Sequence, residues 1–321
     1  MMKLAAILAF LFVSFTQHAH AQGFPNAPIK LVVPYPAGGL SEVLAREVGR
    51  KMTESLGQPI VIENIGGAGG TIGTTAVARA APNGYTLLFG YSSGLTIAPG
   101  LYKTLAYDPP VSFAPIGGVG RFSYYLAAPA SAPFNTLKEL VAYARANPGK
   151  LSLGTPGVGS TPHLMGELFN GKENLNIVHV PYKGGGQVIV DLLAARVDLS
   201  WDAASNFTAG FQSRKIKPIA GTAAQRSPQF PDVGTVAEAG IPELGVYTWT
   251  AILAPAGTPP EARAKLEDAL SKARASTEVQ QAFTSRGLEV FNASPQALTD
   301  MMRSEIAQWA AIINRAGVKA E

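Results

Sequence analysis

Short β-branched runs alternate with stretches of helical periodicity from residue 29 onward. Residues 29–33 form a short run rich in β-branched residues, which is typical of a buried strand. From Leu40 to Met52 the apolar positions instead recur at the spacing of one helical face, and Gly57 followed by Pro59 predicts the end of that helix. The pattern then predicts strands at residues 60–62 and 85–89 and a helix at residues 71–81. This β-α-β-α-β order predicts parallel strands joined by right-handed crossovers.

A second series of the same kind follows residue 135. Thr136 and Glu139 form a capping box, which predicts the start of a helix that ends before Pro148. Pro162 suits the first turn of another helix, because the N–H that proline lacks would have no partner there. The remaining predicted elements are strands at residues 151–154, 177–180 and 197–201 and helices at residues 161–169, 187–195 and from about 260 to 313. The pattern predicts a chain of the α/β class with two βα series.

Two extended runs, rich in aromatic residues and ending in Ala-Pro, lie between and after these series. They are "FSYYLAAP" at residues 122–129 and "YTWTAILAP" at residues 247–255. We expect them to be the two strands that carry the chain into a second domain and back. This predicts a first domain made of residues 22–125 and 249–321 and a second domain made of residues 126–248. The cleft between two such lobes is a frequent ligand site.

The first 21 residues have the features of a secretory signal peptide. Lys3 supplies a positive start, residues 4–15 form an apolar run of signal-peptide length, and Ala19-His20-Ala21 is a cleavage site of the A-x-A type. The apolar run is too short to span a bilayer, and an uncleaved anchor is the alternative. We therefore expect a soluble, exported protein that is cleaved near Ala21.

Charge and side-chain content narrow the function classes. The chain has 26 Lys and Arg against 22 Asp and Glu, a formal net charge of +4, and no basic stripe, so nucleic acid is not expected as a partner. It has no cysteine, and after the leader only His163 and His179, which predicts neither a metal site nor a disulfide framework. The glycine-rich residues 66–73 fit neither a dinucleotide nor a P-loop spacing and indicate a tight turn with close helix packing. No cofactor is expected.

The segment "GYSSG" at residues 90–94 follows a predicted strand and fits the G-x-S-x-G pattern of serine hydrolases. An exported serine hydrolase with Ser92 as nucleophile is therefore an alternative. Three features argue against it. Residues 180–321 contain no histidine, His179 lies in an apolar strand, and Pro99 with Gly100 argues against a helix after the turn.

Three predicted strand-to-helix loops are rich in glycine and hydroxyl residues, at residues 34–42, 154–163 and 181–187. Backbone N–H groups and the positive end of the helix dipole attract carboxylates at such places, and glycine lets a ligand approach the main chain. Ser160 and Thr161 can add hydroxyl donors. Each loop alone is also compatible with an ordinary tight turn. Together, with one in the first domain and two in the second, they predict a site that holds an anion from both sides.

Five longer segments resemble the Bug family, the periplasmic solute receptors of tripartite tricarboxylate transporters. They are "PYPAGGLSEVLAR" (34–46), "VIENIGGAGGTIGTTAVARAAPNGYTLL" (61–88), "VHVPYKGGG" (178–186), "RSPQFPDVGTVAEAGIP" (226–242) and "LAPAGTP" (253–259). The resemblance implies an α/β fold of the type II periplasmic-binding-protein kind, in which two lobes, each a mostly parallel sheet flanked by helices, are joined by two crossover strands. It implies a periplasmic receptor without enzyme activity. Such a receptor captures a small organic carboxylate, which can be aromatic or dicarboxylic, and delivers it to the transporter's membrane subunits.

The resemblance also assigns ligand-binding residues. In the family one βα loop from each lobe holds a ligand carboxylate, and by motif these loops are residues 35–42 and 155–163. The implied ligand-binding residues are Tyr35, Ala37, Gly38, Gly39, Ser92, Ser93, Thr155, Ser160, Thr161, His163, Tyr182 and Asp202. On this interpretation Ser92 binds the ligand and is not a nucleophile.

Glu42 departs from the family, which usually has Asp at this position. Its carboxylate is unfavourable toward a ligand carboxylate unless it caps the helix backbone or meets the ligand's distal group, and these two roles are alternatives. We expect a monomer. The sequence does not separate transport from a sensor that presents its ligand to a signalling partner.

Overall fold

The structure, a computed structural model, describes residues 23–318, so the predicted signal peptide and the cleavage site near Ala21 lie outside the described residues. The strands are β1 (Ile29–Val33), β2 (Ile60–Asn64), β3 (Thr86–Tyr91), β4 (Phe113–Pro129), β5 (Ser152–Thr155), β6 (Val178–Pro181), β7 (Leu199–Ala203), β8 (Ile216–Gly221), β9 (Tyr247–Pro255) and β10 (Glu289–Val290). The helices are α1 (Leu40–Leu56), α2 (Thr71–Ala78), α3 (Ala98–Leu101), α4 (Pro109–Ser112), α5 (Leu137–Ala146), α6 (Thr161–Glu173), α7 (Gly185–Leu193), α8 (Ala204–Gln212), α9 (Pro260–Ala275), α10 (Thr277–Thr284) and α11 (Pro295–Ala316). A π-helical turn spans Ser93–Ile97, and 3-10 turns span Ala68–Gly70 and Pro242–Leu244.

The first half of the sheet has the strand order β2-β1-β3-β9-β4. β1 pairs in parallel with β2 and with β3, as the alternating pattern predicts. β9, from the C-terminal part of the chain, is inserted antiparallel between β3 and β4, with Phe89 opposite Ile252. Helices α1, α9 and α10 cover one face of this half, and α2 and α11 cover the other.

Strand β4 is shared by both halves of the sheet. Up to Ser123 it pairs with β9, and from Tyr124 onward it pairs antiparallel with β7 and β8. In this second half β5 pairs in parallel with β6 and β7, between a layer of α5 and α6 and a layer of α7 and α8. The chain returns to the first half between β8 and β9, where Thr222 Oγ1 donates to the carbonyl of Val246 at 2.6 Å. The prediction of an α/β fold is confirmed, as a curled mixed sheet with helices on both faces.

The local signals for helix starts are formed as predicted. Thr136 Oγ1 accepts the N–H of Glu139 at 3.2 Å, and Glu139 accepts the N–H of Asn135 at 2.7 Å. Pro162 lies in the first turn of α6, behind the capping residue Ser160. These interactions satisfy donors that the helix geometry leaves without partners.

The structure differs from the predicted elements in three respects. β4 begins at Phe113 and not at residue 122, because its first part contains glycines and a proline that hide the strand pattern. Strands β8 and β10 and helices α4 and α8 were not predicted, and β10 separates α9 and α10 from α11 where one continuous helical tail was expected. The prediction that no helix follows "GYSSG" is wrong: a π-helical turn and α3 follow at once, because Pro99 occupies the first turn of α3.

No helix among residues 23–318 has both the length and the apolar character needed to cross a bilayer.

Candidate functional site

The side chain of Glu42 holds the loop between β1 and α1 through hydrogen bonds. Its Oε2 accepts the N–H of Gly38 at 2.7 Å, and its Oε1 accepts Nε of Arg46 at 2.8 Å. The backbone bond first, and Arg46 second, hold the pKa of Glu42 below its ordinary value. Of the two roles open to Glu42, the structure shows the one in which its carboxylate accepts a backbone N–H, that of Gly38 in the loop before α1. Ala37, Gly38 and Gly39 are exposed, and Gly38 has a φ of +85°.

Tyr35 connects this loop to the turn after β3. Its hydroxyl is hydrogen-bonded to Ser93 Oγ at 3.0 Å, and its ring meets Tyr91 edge to face with 4.9 Å between centroids. Asn64 donates its side-chain amide to the carbonyl of Tyr35 at 3.0 Å. Burial raises the pKa of Tyr35, and the bond to Ser93 opposes this by a smaller amount. The predicted residues Tyr35 and Ser93 therefore lie together.

Ser92 lies deeper, with 4% of its surface exposed. Its Oγ accepts the backbone N–H of Trp249 at 3.4 Å. Within the described part of the chain neither His163 nor His179 is a hydrogen-bond partner of Ser92, since His163 bonds to Gly159 and His179 to Thr155. The contact between nucleophile and base that a serine hydrolase needs is not formed here.

Behind Ser92, α11 brings the carboxyl group of Glu305 into the interior. Trp249 Nε1 donates to it at 3.0 Å, and its Oε2 lies 3.0 Å from Thr96 Oγ1. Thr96 Oγ1 also lies 2.9 Å from the carbonyl oxygen of Ser92. Its one hydroxyl proton cannot be donated to this carbonyl and to Glu305 at the same time, whereas a protonated Glu305 can itself donate a hydrogen bond to Thr96 Oγ1. Burial raises the pKa of Glu305, against smaller opposing effects of Trp249 and Thr96. The helical pattern does not predict this role for Glu305, since an acid on an amphipathic helix is usually exposed.

We expect the Glu305→Gln variant to become more stable relative to the native protein as pH rises. The folded-state pKa of Glu305 is raised, whereas an unfolded glutamate has a pKa of about 4.3, so folding takes up a proton. The resulting stability is fully present below the unfolded pKa and is lost as pH rises through the folded-state pKa. Denaturant melts of both proteins from about pH 4 to about pH 8 measure the difference. The same exchange at exposed Glu261 is the control, and parallel profiles for native and Glu305→Gln proteins would contradict the expectation.

The loop between β5 and α6 is ordered by Ser160. Its Oγ donates to the carbonyl of Gly157 at 2.7 Å and accepts the N–H of His163 at 3.4 Å, so it caps α6. Thr161, which is 8% exposed, lies near enough to the hydroxyl of Tyr124 to lower its pKa. Ser160 therefore shapes the loop, and Thr161 lies close to the shared strand.

His163 and His179 form a stacked pair beneath this loop, with 3.8 Å between ring centroids and 14° between ring planes. Nδ1 of His163 accepts the N–H of Gly159 at 3.0 Å, and Nε2 of His179 is hydrogen-bonded to Thr155 Oγ1 at 2.6 Å. Burial, and secondly the neighbouring His163, lower the pKa of His179 to about 4. The predicted ligand residues Thr155 and His163 thus form hydrogen bonds within the protein, Thr155 with His179 and His163 with the loop backbone at Gly159.

Tyr182 and Asp202 lie on either side of the start of α7. The hydroxyl of Tyr182 donates to Asp191 at 2.8 Å, which fixes its ring against α7. Asp202 Oδ1 accepts the N–H of Ala203 at 2.7 Å and the side-chain amide of Asn206 at 2.9 Å. Burial raises the pKa of Asp202, and these two hydrogen bonds lower it by less.

Tyr124, where β4 passes between the halves, links groups from both. Its buried hydroxyl lies 2.6 Å from Thr248 Oγ1. Burial raises its pKa to about 12; Thr248 and Thr161 lower the pKa, and Asp202 and Tyr35 raise it electrostatically. Tyr35 from the first half and Asp202 from the second are therefore within electrostatic reach of one hydroxyl group.

Sequence reasoning missed Tyr124 and Thr248 as parts of this arrangement. The run "FSYYLAAP" indicates an aromatic strand, but alternation alone does not tell which of its two tyrosines turns toward the predicted site. Among residues 23–318 there is also no group of three or more His, Cys, Asp or Glu side chains that could hold a metal ion.

The chain resembles known proteins over nearly its whole length. The profile of the family described as "Tripartite tricarboxylate transporter family receptor" matches residues 44–318. The structure of the periplasmic binding protein BugD is 38% identical, with a TM-score of 0.75, covering 93% of this chain and 100% of that one. MatC from Rhodopseudomonas palustris, solved with bound malate, is 33% identical, with a TM-score of 0.75 and coverage of 90% and 100%. A second R. palustris protein, solved with adipate, is 32% identical, with a TM-score of 0.77 and coverage of 92% and 99%.

Proposed function

Because this chain belongs to the tripartite tricarboxylate transporter receptor family, a family of solute receptors and not of enzymes, we propose that it captures a small organic carboxylate and delivers it to the membrane subunits of such a transporter. The site would lie between the loops that carry Tyr35 and Gly38 on one side and Thr161 and Asp202 on the other. Malate and adipate are the ligands of two similar proteins, which favours a dicarboxylate. The proposed location is the periplasm.

The observation that carries this proposal is that three helices begin at the candidate site without a capping side chain. Helices α1, α7 and α8, which begin at the candidate site, follow Gly39, Gly184 and Ala203, and none of these residues supplies a side-chain acceptor. Side chains cap other helices, Ser160 at α6 of the same site and Thr136, Ser276 and Ser294 at α5, α10 and α11, whereas α2 and α9 lack such caps. The uncapped first turns keep N–H donors available, and a carboxylate is the ligand that such donors and the helix dipole favour.

We further propose that the two halves act as lobes that close on the ligand, with residues 22–125 and 249–321 in one lobe and residues 126–248 in the other. The change of partners along β4 at Ser123 and Tyr124 supports a hinge at this point. A hinge needs only a few residues that absorb the change in backbone angles. The receptor would work as a monomer.

A panel of organic acids should raise the melting temperature of the mature protein if the proposal holds. We name malate, succinate, adipate, citrate, glutamate and benzoate for this panel, with glucose as an uncharged control. A ligand present at about 100 times its Kd stabilises the protein by about 2.7 kcal/mol. At 2–4 °C per kcal/mol this corresponds to a shift of roughly 5–10 °C in a thermal melt.

Calorimetric titration of the acid with the largest shift then gives its affinity and stoichiometry. A shift with glucose and none with any acid of the panel would overturn the proposed function. Turnover of an ester substrate that disappears in the Ser92→Ala variant would instead favour the hydrolase.

A further inference from the structure

The two carboxylate oxygens of Asp202 have different surroundings. Oδ1 accepts hydrogen bonds from Ala203 and Asn206, whereas Oδ2 accepts none from any residue between 23 and 318. Oδ2 lies at the start of α7, where a Cβ placed on Gly185 would stand 3.4 Å from it. The carboxyl end of a parallel strand, here β7, is where ligands of α/β sheets bind. Oδ2 is thus an acceptor that a ligand at the proposed site can reach.

The groups around Asp202 include no cationic partner. The titratable or charged side chains on the segments that contact β7 around Asp202 are Tyr124 and Tyr125 of β4, Tyr182 and Lys183 before α7, and Asp191 of α7. Tyr182 is hydrogen-bonded to Asp191, and Lys183 is exposed. Within the described residues none of them forms an ion pair with Asp202, whose pKa is raised by burial and lowered less by Asn206 and Ala203. No cationic side chain nearby therefore compensates a second negative charge.

We propose that Asp202 determines ligand specificity by sharing one proton with a carboxyl group of the bound ligand. This inference rests on the proposed function, because it places a ligand carboxylate beside Oδ2. Two ionised carboxylates in contact repel each other, whereas one proton between them gives a short, strong O–H···O⁻ hydrogen bond. The proton comes from solvent, and binding therefore consumes one.

This arrangement fixes the direction of the pH dependence. A ligand carboxylate beside Asp202 raises the pKa in the complex above its value in the free protein. Affinity rises as pH falls through the pKa of the complex and stops rising below the pKa of the free protein. Between the two values affinity changes by up to about tenfold per pH unit, which corresponds to one proton per ligand. An ammonium group at Oδ2 would give the opposite sign, because it needs ionised Asp202.

The test uses calorimetric titration of the mature protein with the tightest-binding acid of the panel named above. Titrations at about pH 5.5, 6.5, 7.5 and 8.5 give the affinity, and buffers of different ionisation enthalpy give the number of protons taken up. We expect uptake approaching one proton and tighter binding at lower pH. In Asp202→Asn, whose amide replaces the shared proton, we expect binding without proton uptake and tighter than native at the highest pH.

Asp232→Asn is the matched control, because it removes one exposed carboxylate from the same half of the sheet. It should keep the native pH dependence, and titration of the ligand itself appears in all three proteins. Native binding without proton uptake, or with affinity that falls toward low pH, would overturn the inference and leave the proposed function intact. Loss of binding in Asp202→Asn at every pH would also overturn it. If no acid of the panel binds the native protein, the proposed function fails, and this inference fails with it.

Discussion

Replacing Gly38 with valine is expected to weaken ligand binding by roughly two to four decades while the protein stays folded. Gly38 has a φ of +85°, a region that β-branched residues avoid, and a Cβ built there meets no atom within 4 Å. The added side chain would fill space in front of the loop and shift the N–H donors that begin α1. Losing two hydrogen bonds to a charged ligand costs about 3–6 kcal/mol. Calorimetric titration with the acid found in the panel measures the effect.

Gly57 offers a matched control at the other end of α1. It has a φ of +67° and equally open space around a built Cβ, so Gly57→Val carries the same backbone strain away from the candidate site. Both variants should lose a similar amount of stability, about 1–2 kcal/mol, in denaturant melts. Only Gly38→Val should lose affinity. Unchanged affinity in a folded Gly38→Val protein would remove this loop from the site.

The Gly73→Val substitution should produce the largest loss of folding stability, about 3 kcal/mol or more. A Cβ at Gly73 would collide with the carbonyl oxygen of Ile65 and stand 2.9 Å from Cα of Pro34. Both obstacles are backbone atoms, so no side chain can rotate away, and α2 would have to move off the loops after β1 and β2. A lower denaturant midpoint with an unchanged m value would show the effect.

Gly186→Ala is the control for this second variant. A Cβ at Gly186 meets nothing within 4 Å, and its φ is not in the left-handed region. Alanine there should be neutral or slightly stabilising, because it favours the helical conformation of α7. A Gly73→Val protein as stable as the native one would contradict the close helix packing that we infer from residues 66–73.

Local patterns predicted the elements of the fold better than its pairing. The run at β1, the helical spacing of α1 and the capping box at Thr136 are properties of neighbouring residues, and the structure contains each of them. The insertion of β9 between β3 and β4 depends on contacts between distant segments, which periodicity does not register. The glycines early in β4 hid the true start of that strand for the same reason. At Gly120 the ring of Phe283, which is distant in sequence, packs so closely that it leaves no room for a side chain.

In the candidate site, too, local features could be predicted from the sequence and contacts between distant segments could not. The uncapped start of α1 could be read from Gly38 and Gly39, because turns and caps are local. The partners of His163 and Tyr182 could not be predicted in this way, since the stacked ring of His179 and the accepting carboxylate of Asp191 lie on other elements. The burial of Glu305 could not be predicted for the same reason, because its carboxyl group is buried only by the packing of α11 against β9.

The position of β9 in the sheet also bears on how the chain folds. β3 cannot acquire its second neighbour until residues 247–255 are available, although β3 itself ends at Tyr91. The second half of the sheet consists of segments much closer in sequence, from Tyr124 to Gly221. Loop-closure entropy delays pairings between distant segments, so the second half should form first and the first half last. A nascent chain would thus expose the edges of β3 and β4 until its synthesis is nearly complete.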